Sequence, residues 1–427
     1  MWTEKKDSIP EKGDQSYLRS RNTARILETL RQNENFSRQD LAEQTNLDKK
    51  TVLNIVNGLL EKGMIHITSR QADGAGRPKE ILDINGNYGR YAGIDLGGTH
   101  LSGVLVDFSG KQIVSGNIEV HNGMEPDTLM KLCAYLMGNL LKDAGLKEYD
   151  LSGIGISFPG FVASSLGSVT SENFPKWQNI PIQGMFQERY NVPICVDDSS
   201  RLMALAELWF GKGRGCRDFI VADLGFGIGC GIVIDRKIFR GSAGKSGEVG
   251  HTIVDVNGPP CTCGSRGCIE SFAAGWALSR DAQVVMKEHP DSLLWETSGG
   301  SPEGVNFRQV ILAANLGDSC CAGLLRYAGT YIGIGLSNTI SFFNPSRLII
   351  GGRLIQDNEI LLKAVTETIN SNCMKQILDD VEITVSELGG GASAWGAGIS
   401  CILNTENSYF AAIQNGQNGA RKTLVLA

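Results

Sequence analysis

The amino-acid sequence predicts an α/β protein preceded by a small α+β domain. Three observations carry that expectation. Residues 20–86 hold three short segments with helical apolar spacing, followed by a pair of strand-like runs. Two glycine-rich hairpins, GIDLGGTHLSGVLV at 93–106 and ADLGFGIGCGIVI at 222–234, interrupt otherwise apolar strand sequence and repeat one design. Around them strands alternate with helix-spaced segments, the texture of an α/β sheet. At 427 residues the chain has material for two or three domains with large cores. The expected division is a flexible N-terminus (1–19), a helix-turn-helix domain (20–87), a two-lobed body (88–404) and a polar C-terminal tail (405–427).

Charge is uneven along the chain. Residues 1–87 carry 14 Lys and Arg against 13 Asp and Glu, and the remainder carries 26 against 33. Only the first segment tolerates a polyanion, although this balance is far from the strongly basic footprint of many DNA-binding domains. The charged N-terminus has no apolar core of signal-peptide length, and no apolar run approaches the roughly 18 residues of a membrane span. Eleven cysteines, an odd and scattered number, argue against a disulfide framework and for reduced thiols in the cytoplasm.

In chain order, Ile26, Leu27 and Leu30 mark a first helix over 22–33, and Ser37 with Asp40 forms a capping-box signature for a second. After a turn at Thr45-Asn46-Leu47, Asp48 caps a third helix that Gly63 stops. Its apolar face is Val52, Ile55, Val56, Leu59 and Leu60. Lys49, Lys50, Thr51 and Asn54 are thereby left outside, where a recognition helix meets phosphates and base edges, joined by Ser37 and Arg38 from the preceding helix. MIHITSR and EILDIN flank a Gly74–Pro78 tip as a wing, and Arg77 on that tip suits a narrow minor groove. The competing reading is a helical adaptor that packs on its own protein.

In the first hairpin Asp95 precedes Gly97, Gly98 and Thr99, a turn able to present backbone N–H groups to phosphate, or else a plain tight hairpin. A helix over about 126–144, a buried strand LSGIGIS and a turn through Gly160 follow. Next comes PICVDDSSRLMALAELW, a strand running directly into a helix. The second hairpin contains Gly227, Gly229 and Gly231. Beyond it, GEVGHTIVDVNGPPCTCGSRGCIES (247–271) packs His251, Cys261, Cys263 and Cys268 into a Gly- and Pro-rich loop. One imidazole and three thiolates form the tetrahedral set of a closed structural zinc site, with three unrelated buried thiols as the alternative. Glu248 and Glu270 stand close to these ligands in sequence and make a candidate sugar-hydroxyl pocket. Helices near 276–289, 306–313 and 319–341, a strand ending at Gly351-Gly352, a strand VEITVSE and a glycine-led helix to about 404 complete the pattern.

The 247–271 segment resembles the zinc motif of the ROK family of repressors, open reading frames and sugar kinases, whose pattern is G-E-x-G-H followed by C-x-C-G-x-x-G-C-x-E. Every position of that pattern is present, Gly76-Arg77-Pro78 matches the family's wing tip, and the resemblance covers about residues 20–404. It implies an actin-like, ribonuclease H-like two-lobed sugar-kinase fold behind a winged helix-turn-helix domain. It also implies that Gly160, Asn173, Asp198, Glu248, His251 and Glu270 surround a sugar. Asp95, Gly97, Gly98, Thr99, Gly227, Gly229 and Gly352 would fall in phosphate and adenosine loops. The chain departs from the family's kinases where they carry Asn-Asp, the Asp being the general base. Counting back from Glu207, those positions are Asp198 and Ser199, and Arg201 replaces a second Asn. A serine hydroxyl is too weak a base at neutral pH, and Asp198 is expected to serve only if the strand end slips by one residue.

The resemblance thus implies a sugar-responsive transcriptional regulator, a repressor of carbohydrate-utilisation genes, that binds operator DNA and a monosaccharide or sugar-derived effector. A structural Zn2+ and a homodimer or homotetramer are expected, with no use of ATP and Mg2+ and no membrane. An ATP-dependent sugar kinase with an appended DNA module and a purely structural interaction protein are the competing readings.

Overall fold

Residues 15–71, 78–121, 123–163, 167–174 and 176–414 are described here from a computed structural model. The first part comprises α1 (Gln15–Gln32), β1 (Phe36–Ser37), α2 (Arg38–Thr45), α3 (Lys49–Glu61), β2 (Ile65–Gln71) and β3 (Lys79–Ile84). The strands form a sheet in the order β1-β3-β2. Local chemistry sets each boundary. Ser37 and Asp40 form the capping box of α2, Asn46 ends that helix in the left-handed region at φ 51°, and the Asp48 carboxylate accepts the Thr51 N–H at 2.9 Å to start α3. Ile26, Leu27, Leu30, Leu41, Val52, Ile55 and Val56 bury the apolar faces of all three helices in one core. α1 begins at Gln15 rather than near 22, because QSYLRSR holds neither Gly nor Pro to break a helix.

The body contains two five-stranded sheets of matching plan. The first is built from β4 (Arg90–Leu96), β5 (His100–Asp107), β6 (Gln112–Glu119), β7 (Gly153–Phe158) and β10 (Ile194–Asp198), in the order β10-β7-β4-β5-β6. Helix α4 (Pro126–Asp143), the small ribbon β8 (Phe161–Ala163) with β9 (Ser168–Thr170), and α5 (Ile182–Gln187) fill its connections. Helix α6 (Ser199–Phe210) leads to the second sheet, β11 (Phe219–Leu224), β12 (Ile228–Ile234), β13 (Lys237–Ile238), β14 (Arg347–Gly351) and β15 (Glu382–Val385), in the order β13-β12-β11-β14-β15. Each sheet sets an antiparallel hairpin, β4 with β5 or β11 with β12, beside two parallel strands. The duplication read from the glycine hairpins is therefore a duplication of topology.

The second sheet is covered by α7 (Ile269–Ala273), α8 (Gly275–Glu288), α9 (Leu294–Thr297), α10 (Phe307–Asn315), α11 (Ser319–Phe343), α12 (Glu359–Asn372) and α13 (Lys375–Leu378). The last helix, α14 (Ala392–Gln414), continues ten residues beyond the expected end at 404. Nothing between Thr405 and Gln414 breaks a helix, and Glu406 is buried.

Helices α6 and α14 lie backbone to backbone. A Cβ on Gly396 would stand 1.7 Å from the Leu202 carbonyl oxygen. Gly396→Ala is accordingly expected to force α14 off α6 and to cost about 1–3 kcal/mol or more. Chemical denaturation reads this directly, and an unchanged midpoint would contradict the packing.

Candidate sugar pocket, metal clasp and DNA interface

The C-terminal ends of β4 and β11 face a cavity of about 1110 Å3, counting its open mouth. Gly160, Asn173, Asp198, Glu248, His251 and Glu270 line it, and so do Asp95, Gly97, Gly98, Thr99, Gly227, Gly229 and Gly352. Residues spread over more than 250 positions thus meet in one place, at a size suited to small-molecule ligands.

Glu270, buried at the start of α7, holds the floor. Its Oε1 accepts the Ile228 N–H at 2.7 Å, and its Oε2 accepts from Asn173 Nδ2 and Trp276 Nε1, each at 3.3 Å. Asn173 Oδ1 in turn accepts from Thr262 Oγ1 at 3.0 Å. Thr262 and Trp276 were not foreseen; only the fold brings them near Asn173 and Glu270. Burial, then Asp198 and Glu270, push the Glu248 carboxyl up to about 7.

Strand β10 ends in two carboxylates with different jobs, and Ser199 follows as the first residue of α6. The Asp197 carboxylate is taken up by two arginines, accepting from Arg201 Nε at 3.0 Å and Arg240 Nη1 at 2.6 Å. Asp198 caps α6, accepting the Arg201 N–H at 3.1 Å, and burial pushes its carboxyl up to about 6. Asp198 and Ser199 both line the cavity. Asp198 lines the cavity with no slip of the strand end: β10 pairs in unbroken register with β7 to Asp198, and at the strand-to-helix junction successive side chains no longer alternate between faces.

Asp223, at the end of β11, is a further carboxylate of the cavity. Burial, then Asp95 and Asp198, push it up to about 7, while hydrogen bonds from Ser200 and Ser199 partly offset the rise. The signal was available: the triplet Asp-Leu-Gly occurs at 95–97 and again at 223–225.

The glycine loops are tightly packed. Asp95 is engaged by Ser157 Oγ at 2.6 Å and His100 Nε2 at 2.8 Å. Gly352 has φ +95°, and a Cβ there would lie 2.3 Å from the Leu224 carbonyl oxygen, so this glycine is required by the approach of β14 to β11 whether or not a phosphate is present. Arg353 reaches across the cleft from the second lobe to Ser102 Oγ at 2.9 Å and Asn117 Oδ1 at 3.0 Å in the first.

Beside the cavity, the ligand atoms of His251, Cys261, Cys263 and Cys268 lie within 4.8 Å of one another. His251 Nδ1 is 3.6 Å from Cys261 Sγ, and Cys263 Sγ is 3.7 Å from Cys268 Sγ. A tetrahedral ion with thiolate bonds near 2.3 Å sets its sulfurs about 3.8 Å apart, so the four residues fit a closed metal site. The ligand Cys268 directly precedes α7, which carries Glu270, and His251 Nε2 stands 4.0 Å from Glu248 Oε2.

On the first domain, Lys49, Lys50 and Asn54 are exposed along the start of α3, with Thr51 half-buried beside them. Ser37 is a correction to the expected DNA-facing set. It is 3 % exposed, and its hydroxyl is bonded to Asp40 at 2.7 Å because it serves as the cap of α2. Arg38 is held by Glu80 at 2.6 Å and Asn57 at 3.3 Å. Gly74 to Arg77 lie outside the described residues.

A sugar-kinase-like body behind a winged helix-turn-helix is the class this geometry defines. Residues 91–402 match the ROK family, and residues 19–66 match a winged helix-turn-helix DNA-binding family. The chain belongs to the ROK family. It is 31 % identical to the xylose repressor of Caldicellulosiruptor bescii, over 93 % of this chain and 99 % of that one. It is 32 % identical to a glucokinase of Thermotoga maritima, over 71 % of this chain and 95 % of that one. Among solved structures, a ROK family transcriptional regulator described as a homologue of the E. coli MLC protein superposes with a TM-score of 0.74 at 25 % identity, covering 93 % of this chain and 99 % of its own. A Streptomyces griseus ROK glucokinase bound to glucose and AMPPNP superposes with a TM-score of 0.66 at 27 % identity, covering 73 % and 99 %. The kinases match the body; the regulators match the body and the DNA-binding domain together.

Proposed function

We propose that this protein is a sugar-responsive, DNA-binding transcriptional repressor of carbohydrate-utilisation genes. One observation carries the reading: a single chain joins an exposed recognition-helix face, Lys49, Lys50 and Asn54, to a cavity lined by Asn173, Asp198, Glu248 and Glu270. Its likeness to the xylose repressor over nearly the whole of both chains supports it. The effector is a monosaccharide or sugar derivative whose hydroxyls these polar groups receive, and D-xylose is the first to test. The clasp holds a structural zinc. A homodimer or homotetramer places two recognition helices on a near-palindromic operator, because a single winged helix neutralises few phosphates. The protein works in the cytoplasm with the DNA it reads; among the described residues no helix is long and apolar enough to cross a membrane.

On the DNA side, Lys49 and Lys50 supply salt-sensitive phosphate contacts, Thr51 and Asn54 contact base edges, and Arg77 enters the minor groove. Asn54→Ala is expected to cost about 1–3 kcal/mol on the preferred site and to relax sequence preference, whereas Lys49→Ala weakens all duplexes alike and lowers the salt slope by about 1. Anisotropy titrations on selected and scrambled duplexes at several salt concentrations distinguish the two; equal loss of preference in both variants would contradict the assignment.

A second reading, residual sugar phosphorylation, is favoured by the Asp198 carboxyl, which lines the cavity and is pushed up to about 6. Thermal-shift screening of D-xylose, D-glucose and N-acetyl-D-glucosamine with and without ATP separates the readings, since a ligand of the native state raises apparent stability.

A further inference from the structure

Helix α6 starts in the sugar cavity and ends under the DNA-binding domain. Its first five residues contribute Ser199, Ser200 and Met203 to the cavity wall, and Asp198 caps it. Ten successive residues, Ser200 to Trp209, are buried, so the helix is enclosed along its length of about 18 Å. At the far end Trp209 carries the guanidinium of Arg31 over its ring at 4.8 Å, and Phe210 stacks on Trp395 of α14 at 4.6 Å. Gly396 brings the α14 backbone directly onto that of α6, leaving no room for even a methyl group between them.

Arg31 of α1 meets α6, α14 and the first lobe at once. Its side chain is 3 % exposed, although it is a cation near the end of a surface helix. It forms a two-pronged pair with Glu406 of α14, itself 4 % exposed, and its Nη2 donates to the Phe108 carbonyl at 3.4 Å. Its face also lies 5.1 Å from the Phe108 ring. Phe108 belongs to the turn after β5 in the first lobe. The second lobe reaches α1 as well, through Arg214 Nη2 to the Gln32 carbonyl at 2.6 Å and Arg236 Nε to Glu28 at 3.7 Å. α1 therefore sits astride both lobes, with Arg31 at the point where α6, α14 and the first lobe converge. Burying an ion pair at the seam between domains is an expensive way to gain stability, and registry between two arrangements is its better-attested use.

We infer that Arg31 is the positioning residue that transmits the state of the sugar cavity, through α6 and α14, to the DNA-binding domain. This rests on the proposed function for its biological meaning but not for its test. A ligand that shifts the first turn of α6 displaces Trp209 and the α14 face that together seat Arg31, and α1 tilts with it. Lys in place of Arg keeps the charge opposite Glu406 but loses the planar stack on Trp209 and the two-pronged pair.

Amide hydrogen exchange on the full chain tests this without knowledge of the effector. Asp198→Ala uncaps α6 in the cavity and is expected to raise exchange in Arg25–Gln32 by about fivefold or more, with α4 unchanged. In an Arg31→Lys background the same uncapping leaves Arg25–Gln32 unmoved. An unresponsive α1, an equal rise in α4, or a response that survives Arg31→Lys overturns the inference. Should Asp198→Ala fail to fold, Arg31→Lys alone decides, because coupling is reciprocal and exchange at Ser199–Leu202 must then change; no change overturns it. Adding D-xylose to the wild type forms a separate arm. Failure of xylose to bind counts against the proposed effector and leaves the uncapping result to judge Arg31.

Discussion

Chelating the proposed clasp metal is expected to abolish binding of the proposed sugar effector and to unfold the 247–271 clasp in the same step. The four candidate ligands would close a tetrahedral set, and between the core anchors Val249 and Ile269 much of the loop is exposed, including Thr252, Ile253, Val256 and Thr262. Metal binding is then local folding free energy, on the order of 10 kcal/mol for a structural zinc. The consequence reaches the cavity because Cys268 directly precedes the helix that carries Glu270, and Glu270 holds Asn173 and Trp276. Cys263→Ser removes one thiolate and should act in the same direction, with a matching loss of bound zinc by elemental analysis. Retention of sugar binding after complete chelation would contradict the scaffold role.

The second large effect concerns catalysis. Purified protein is expected to show no sugar-dependent ADP release above background, because the resemblance to the family's kinases implies Ser199 at the place of their general base, and losing a positioned base typically costs on the order of 10² to 10⁴ in rate. Asp198→Asn combined with Ser199→Asp should raise turnover by about 10² or more if the rest of the cavity remains competent. Two features oppose full recovery. Arg353 bridges the lobes across the cleft, and Asp95 is already engaged by His100 and Ser157. Turnover at ordinary kinase rates in the wild type, lost in Asp198→Asn alone, would contradict this account and make Asp198 the base.

Much of this architecture could be read before any coordinates. The glycine hairpins announced two lobes because Asp-Leu-Gly recurs in the same strand setting, and the two sheets follow the same plan. The capping signatures at Ser37 and Asp48 identified helix starts because capping is local chemistry, complete within four residues. The same locality explains an error: a serine that caps spends its hydroxyl inward, so Ser37 does not face DNA. What sequence could not reveal is long-range. Arg31 and Glu406 are 375 positions apart, and nothing near either marks it as half of a buried pair. Thr262 and Trp276 likewise gain their places only once α7 and the clasp are folded. Asp198 was placed beside the sugar by resemblance alone; its position in the cavity wall depends on a strand becoming a helix there, where the rule of alternation no longer holds.

The central claim, that one chain couples a sugar cavity to a DNA-reading helix, is tested most directly by measuring both affinities in both states. Operator duplexes selected in vitro are titrated with and without saturating sugar, and the sugar is titrated with and without saturating operator. Linkage requires the two ratios to be equal, and an allosteric regulator should give a factor of roughly 5 to 150. Equal ratios within that range are the expected result; a sugar affinity unchanged by saturating operator would contradict the claim.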